Sequence, residues 1–249
     1  EAIEESIRLL EYYRSGSEED VELAAIQNRM SLLVDKVMSE AGLYSREYAA
    51  LALKQCEGSA EEAVFLLRAY RSTLKRDYYT TVTDTKHMRV VRRISAAFKD
   101  IQGGQILGAT YDYTHRLIHF DIADEDPAES YSRRNQMVES QEPEPLQTFP
   151  RVSDGLKEEG LIDRYEENDE EPFDVTENLL EFPAPRSARL QTLTRADAGF
   201  LSGLAYSALR GFGQVHPTVG ELRCGYLELE VPYLLDENET EYIGEILVT

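Results

Sequence analysis

Between Arg92 and Arg116 the sequence gathers groups that grip anions and move protons. Arg92, Arg93, Lys99 and Arg116 are cations, Asp100 and Asp112 carboxylates, His115 a proton carrier, and Tyr111 and Tyr113 flat rings with a hydroxyl. Apolar and polar residues alternate from Arg92 to Ile101, the period of a strand. Gln102-Gly103-Gly104-Gln105 supplies a turn, because glycine takes positive φ without steric cost. The second arm runs from Tyr111 to Ile122, so the stretch reads as a β-hairpin. Successive strand side chains face opposite ways. Asp112, Thr114 and Arg116 then share one face, and Tyr111, Tyr113 and His115 the other. Asp112 and Arg116 lie roughly 13 Å apart along such a strand, too far to pair with each other. Each needs a partner from another strand, another subunit or a ligand, and both cross-strand pairing and ligand binding fit.

The setting sharpens the anion reading. Lys86 to His119 carries Lys86, Arg89, Arg92, Arg93, Lys99 and Arg116 against only Asp100 and Asp112, in a chain of net charge −21. A polyphosphate responds to the local field, not to the total. The competing reading is a basic strand facing the acidic part of its own chain. The overall charge speaks against nucleic acid or an anionic membrane as main partner. No apolar run approaches the roughly 20 residues of a membrane helix, and no signal-peptide pattern is present. Cys56 falls in a helical pattern and Cys224 in a strand pattern, which fits a reducing cytoplasm and no disulfide framework. Two cysteines also cannot hold an iron–sulfur cluster.

Other chemistries find no support. There is no P-loop motif, and Gly211-Phe212-Gly213 lacks the further glycine of a dinucleotide fingerprint. His115 and His119 share a strand face but sit too far apart to meet at one metal ion. His216, before Pro217, is a ligand, an acid or a surface residue. No metal site is expected.

These residues need a scaffold. Ile3, Ile7 and Leu10 mark a short amphipathic helix ending near Ser15-Gly16-Ser17. A second runs from Ile26 to Ala41, with Gly42 as its C-cap. Ser45 opens a third, Gly58 breaks it, and Ser59-Ala60-Glu61-Glu62 is a capping box for a fourth. Residues 121–182 are rich in acid and proline, so they should form a surface excursion with one short helix at Val152–Ile162. A later helix carries Gly199, Gly203, Leu204 and Arg210 and ends at Gly211. Strands follow at Glu221–Val231 and Tyr242–Val248. The expected fold is α+β: an N-terminal helical bundle (1–80) packed with an antiparallel sheet built on the glycine-turn hairpin (81–249), plus the later helix and two further strands. From residues alone this is a protein with a local anion site and no named reaction.

Arg92-Arg93-Ile94-Ser95, Lys99-Asp100-Ile101, Gly103-Gly104-Gln105, Leu107-Gly108 and Thr110 to Leu117 together resemble the PhnI subunit family of the bacterial carbon–phosphorus lyase system. Ala49 to Gln55 and Phe65 to Arg71 are similar to the family's helical part. Leu204 to Ser207, Arg210-Gly211, His216-Pro217, Gly220-Glu221 and Arg223 to Tyr226 are similar to its later part. The likeness covers nearly every segment outside the acidic excursion, in order. It implies that a family C-terminal portion of roughly a hundred residues lies beyond Thr249, with a short additional N-terminus.

The resemblance implies an enzyme of phosphonate catabolism. With partners of the PhnG, PhnH, PhnJ and PhnL type it would displace adenine from ATP with methylphosphonate, giving α-D-ribose 1-methylphosphonate 5-triphosphate. Alone it would act as a nucleosidase on ATP or GTP, with water as nucleophile. The radical cleavage of the carbon–phosphorus bond would belong to PhnJ. Such chemistry needs a hold on the Mg²⁺-bound triphosphate, an acid for the departing purine, and a carboxylate for the cation-like sugar. The motif positions assign Arg92, Arg93, Lys99, Arg116 and Arg223 to phosphates or phosphonate, with Gly103 and Gly104 assisting. Asp112 is the first carboxylate, with Asp100 and Glu221 behind it; His115 is the acid, and Tyr111 and Tyr113 stack on the base. The alternative is a non-catalytic assembly subunit whose hairpin docks on its partners.

Overall fold

The three- and four-residue apolar steps of the first third fold into five helices: α1 (Ala2–Arg14), α2 (Leu23–Arg29), α3 (Ser31–Ala41), α4 (Arg46–Gln55) and α5 (Ala60–Arg71). The computed structural model describes residues 1–249 except 96–97, 112–113, 141–147, 164–169, 198, 200–219 and 236–238. The capping residues work as their chemistry demands. Ser45 Oγ accepts from the Tyr48 amide (3.2 Å) and Ser59 Oγ from the Glu62 amide (3.4 Å), each satisfying a donor the first turn leaves free. Gly42 closes α3 at φ 67°.

One core holds α2 to α5 together, around Ile26, Val34, Val37, Leu53, Val64 and Leu67. Leu53 is 1% exposed. Leu53→Ala should lower stability by about 2–5 kcal/mol in urea denaturation, the transfer term plus an unfilled cavity. The single helix expected over Ile26–Ala41 is broken at Met30 (φ −119°, ψ 37°). Neither proline nor glycine stands there; the turn brings Ile26 of α2 into the same core as Val34 and Val37 of α3. α1 forms as expected but buries no residue, and Ile3, Ile7 and Leu10 stay exposed.

The sheet departs from the expected hairpin. β1 (Arg89–Ile94) pairs antiparallel with β2 (Leu222–Pro232), and β2 with β3 (Thr240–Val248). The turn at Gly103 and Gly104 does form, at φ 85° and 75°. Among the described residues it returns the chain to β1 for one bridge, Arg93 to Ile106, with two backbone hydrogen bonds of 2.8 Å. Positive φ at Gly108 (66°) and Arg116 (54°) then takes the second arm out of extended geometry. The long apolar alternation of β2 fills the edge of β1 instead.

Pairing fixes the two faces. Arg89, Tyr226 and Leu247 lie in register on one face, as do Arg92 with Cys224 and Ile94 with Leu222. This face packs on Ala196 and meets α3 across β3. The opposite face carries Arg93, Arg223, Leu227 and Val248, packed with Met88 and Val90.

The acidic excursion holds more structure than its composition suggested. The expected helix is α7 (Val152–Glu158), but α6 (Pro127–Ser140) precedes it; α8 (Arg186–Leu193) follows just beyond the excursion. Pro127 suits a first helical turn, where its missing N–H leaves no bond unmade. Near its end the excursion folds back beside α5, where Arg76 meets Asp174 (3.0 Å) and Glu177 (3.2 Å). The helix expected around Gly203 to Arg210, and the loop at His216, lie outside the described residues. Among the described residues no helix is long and apolar enough to cross a membrane.

Candidate functional site

The two adjacent arginines of β1 serve different faces, as strand alternation requires. Arg93 is fully buried. Its Nε donates to Glu221 Oε1 (2.5 Å), its Nη1 to the carbonyls of Gln102 (2.6 Å) and Gly104 (3.3 Å), and its Nη2 to the Pro150 carbonyl (2.9 Å). Its guanidinium also lies 5.5 Å from the centre of the Phe149 ring. Arg223, beside it in register, donates from Nε to Glu221 Oε1 (2.8 Å) and from Nη2 to the Pro150 carbonyl (2.8 Å). Glu221 Oε2 accepts from the Val152 amide (2.9 Å). Arg93, Glu221 and Arg223 thus form a clasp, with side chains 0%, 11% and 9% exposed, that ties the glycine turn and the start of α7 to the sheet.

The clasp and its turn engage five of the expected residues in internal contacts. Arg93 and Arg223 were expected to hold phosphates and Glu221 to serve a sugar cation, yet all three point into one another and into backbone. A buried cation is held by whatever neutralises it nearest, and Glu221 is that group. Gly103 is part of the same packing: a Cβ there would strike the Phe149 ring and stand 3.1 Å from Arg93 Nη1. Gly104 gives its amide to the Ile101 carbonyl (2.8 Å), so that donor is committed to the turn. Arg92, on the other face, is 2% exposed and lies opposite Cys224. Burial raises the Cys224 thiol above its ordinary pKa, with the Arg92 charge opposing.

The remaining expected residues that the structure describes are on the surface. Lys99, Asp100, Tyr111, His115 and Arg116 are exposed. The Tyr111 ring sits 5.9 Å from that of His119, and the Arg116 amide donates to Thr114 Oγ1 (3.1 Å). Asp112 and Tyr113 lie outside the described residues. The competing reading of the basic stretch is met in part, since Arg93 and Arg223 grip the excursion through the carbonyl of Pro150 and not through its carboxylates.

A cleft of about 480 Å³ opens on the other face of the sheet, where β1, β2 and β3 meet α3 and the start of α4. That size falls within the roughly 300–1,000 Å³ of small-molecule sites, which favour junctions between structural units. Two ion pairs line it. Arg46 Nη1 donates to Asp35 Oδ1 (2.7 Å), and Arg89 Nη2 donates to both oxygens of Glu245 (2.6 and 2.7 Å). The Arg89 guanidinium stands 4.6 Å from the centre of the Tyr226 ring, a cation–π contact. Asp35 is 5% exposed in its side chain, Arg46 46%. Burial holds the Asp35 carboxyl above the usual range, against the pull of Arg46. Burial, and next the charge of Asp35, pushes the Tyr226 hydroxyl up, and Arg89, Glu245 and Arg46 also act on it. Four ionisable groups therefore surround one phenol.

Sequence reasoning passed over Asp35, Arg46, Arg89, Tyr226 and Glu245 as site residues. One signal was present: Asp35 interrupts the apolar stripe of α3 between Val34 and Val37, and both neighbours are fully buried. The partners come from four other places in the chain, so no local spacing links them. Among the described residues no three His, Cys, Asp or Glu side chains gather as a metal site.

Comparison with known proteins is consistent over the whole length. The family model for PhnI, a bacterial phosphonate metabolism protein, matches residues 1–249. The α-D-ribose 1-methylphosphonate 5-triphosphate synthase subunit PhnI of Escherichia coli (strain K12) is 42% identical over 251 aligned residues, covering 100% of this chain and 68% of that protein. Its namesake in Rhizobium meliloti (strain 1021) is 44% identical over 234 residues, 92% of this chain and 61% of its own length. The HtxH protein of Stutzerimonas stutzeri is 46% identical over 228 residues, 91% and 61% respectively. The chain thus spans between three fifths and about two thirds of these relatives.

Proposed function

The chain belongs to the PhnI family of bacterial phosphonate metabolism proteins, and from that premise we propose that it takes part in N-ribosyl transfer on a purine nucleoside triphosphate. Methylphosphonate displaces adenine from C1′ of Mg²⁺-bound ATP, leaving α-D-ribose 1-methylphosphonate 5-triphosphate; with water instead, the product is ribose 5-triphosphate. The observation that carries this reading is the family match over residues 1–249, together with two relatives named for a synthase of that product that cover 100% and 92% of the chain. The chemistry sets three tasks: anchoring the triphosphate, protonating the base, and stabilising a cation-like sugar.

In this reading Lys99 and Arg116, both exposed, meet phosphates, with His115 and Asp112 assigned to proton and sugar. The buried clasp takes a positioning part, holding the glycine turn that leads into this surface. Partners of the PhnG, PhnH, PhnJ and PhnL type complete the synthase, and the setting is cytoplasmic. A second reading, assembly without catalysis, draws support from α1, whose apolar side chains are all exposed, and from exposed Leu117, Ile118, Phe120 and Ile122.

The test is release of free adenine from Mg-ATP, followed by chromatography, with residues 1–249 alone and with a chain of its relatives' length, each with and without the partner subunits. Adenine should appear with the extended chain, and its yield should pass to the phosphonate product when partners and methylphosphonate are added. No adenine from any combination would leave the assembly reading.

A further inference from the structure

The cleft on the α3 side of the sheet suits one half of a nucleotide better than the other. Its two cations are committed within the cleft, Arg46 to Asp35 and Arg89 to Glu245, and neither is free for a triphosphate. It does offer aromatic surface, apolar Met38 and Leu247, and hydrogen-bonding groups on opposite walls. Such a lining fits a planar heterocycle and its sugar, with the charged tail left toward the open mouth. We propose that this cleft receives the purine nucleoside half of the substrate and that Asp35 is the proton donor to the departing base. The inference rests on the N-ribosyl transfer reading and moves two of its roles, the proton donor from His115 to Asp35 and the carboxylate from Asp112 to Glu245.

The geometry carries the argument. Asp35 comes from α3 with 5% of its side chain exposed, and its bond to Arg46 uses Oδ1. The groups facing it come from every neighbouring element: Arg46 at the start of α4, and Tyr226, Arg89 and Glu245 from the three strands. Asp197 and Arg92 complete the charges on the Cys224 side. Burial favours the neutral carboxyl at Asp35, the direction a proton donor needs, with Arg46 pulling the other way. Arg46, at 2.7 Å, then stabilises the carboxylate that is left once the proton has gone.

The step balances. The C1′–N9 bond breaks and its electron pair passes into the purine ring. The Asp35 proton moves to a ring nitrogen, and an oxygen lone pair of phosphonate or water forms the new C1′–O bond. With water, the nucleophile's proton goes to solvent, and Asp35 regains one from solvent before the next turnover. Glu245, held by Arg89 on the β3 wall, supplies the second carboxylate that glycosyl transfer uses beside its acid.

The experiment compares the unchanged protein, Asp35→Asn and Asp35→Glu, each at the full length of its relatives and with partner subunits. It measures adenine release from Mg-ATP between pH 5 and 9 and, by calorimetry, binding of adenosine. Loss of a general acid typically lowers the rate about 10²–10⁴-fold. Asp35→Asn should fall by that order while still binding adenosine, and should lose the decline in rate that the unchanged protein shows as pH rises through the Asp35 pKa. Asp35→Glu should restore part of the rate. Adenosine binding also reports that the variant is folded. An Asn variant with full rate and an unaltered pH profile would overturn the assignment and leave N-ribosyl transfer standing. Failure of the unchanged protein to release adenine would overturn both.

Discussion

Glu221→Ala should destabilise the protein by about 3–5 kcal/mol, the cost of leaving a buried charge without its partner. The substitution strands two guanidinium groups at once, since Arg93 and Arg223 both give Nε to Glu221 Oε1. It also removes the acceptor of the Val152 amide, so the start of α7 loses a tie to the sheet. Arg223 Nη1 is already buried with no hydrogen-bond partner among the described residues, so the site has no spare acceptor to offer. Urea denaturation gives the magnitude, and hydrogen exchange at Val152 should rise with it. The triple change Arg93→Met, Glu221→Leu, Arg223→Met removes every charge together, and buried ion clusters so replaced are often neutral or more stable. A single Glu221→Ala loss below about 1 kcal/mol would mean that water reaches the arginines and that the clasp is not closed.

The contrast between local and distant order explains what the sequence could reveal. Val34, Val37 and Met38 recur on one helix, and Ser45 and Ser59 cap through amides three residues on, so α3, α4 and α5 were legible. The alternation of Leu227, Leu229 and Val231 likewise marks a strand. Alternation names no partner, however. β1 was given to the neighbouring glycine turn, yet its edge went to β2, whose Arg223 and the Glu221 just before it lie over a hundred residues away. The same limit hid the cleft. Asp35 is visible as an acid in an apolar stripe, but Arg89, Tyr226 and Glu245 meet it only through sheet register and the α3–β3 contact. α6 was missed for another reason: acid-rich composition speaks about burial, and an exposed helix can satisfy that composition while still closing its own hydrogen bonds.

Gly225 links the fold to the cleft, and its replacement by alanine is the second large effect. It faces Val90 across the β1–β2 pair, one residue before Tyr226. A Cβ there would stand 2.7 Å from Met88 Cγ and closer still to the Arg89 carbonyl oxygen. The methionine side chain can turn away; the carbonyl belongs to the strand backbone and cannot move without shifting β1. Overpacking of this kind costs about 1–3 kcal/mol, and valine should exceed it and block folding. The displacement has a direction. It drives Arg89 away from Tyr226, so the 4.6 Å cation–π contact opens and the guanidinium loses its hold on Glu245. Gly225→Ala should therefore weaken adenosine binding about tenfold beyond what its folded fraction accounts for, roughly the 1.4 kcal/mol of one cation–π contact plus misplaced wall. Gly155→Ala is the control, since nothing lies within 4 Å of a Cβ there and α7 gains a better helix former. It should be neutral or stabilising by up to about 1 kcal/mol, with binding unchanged. If Gly225→Ala melts and binds like Gly155→Ala, the tight approach of β1 to β2 is not what shapes the cleft wall.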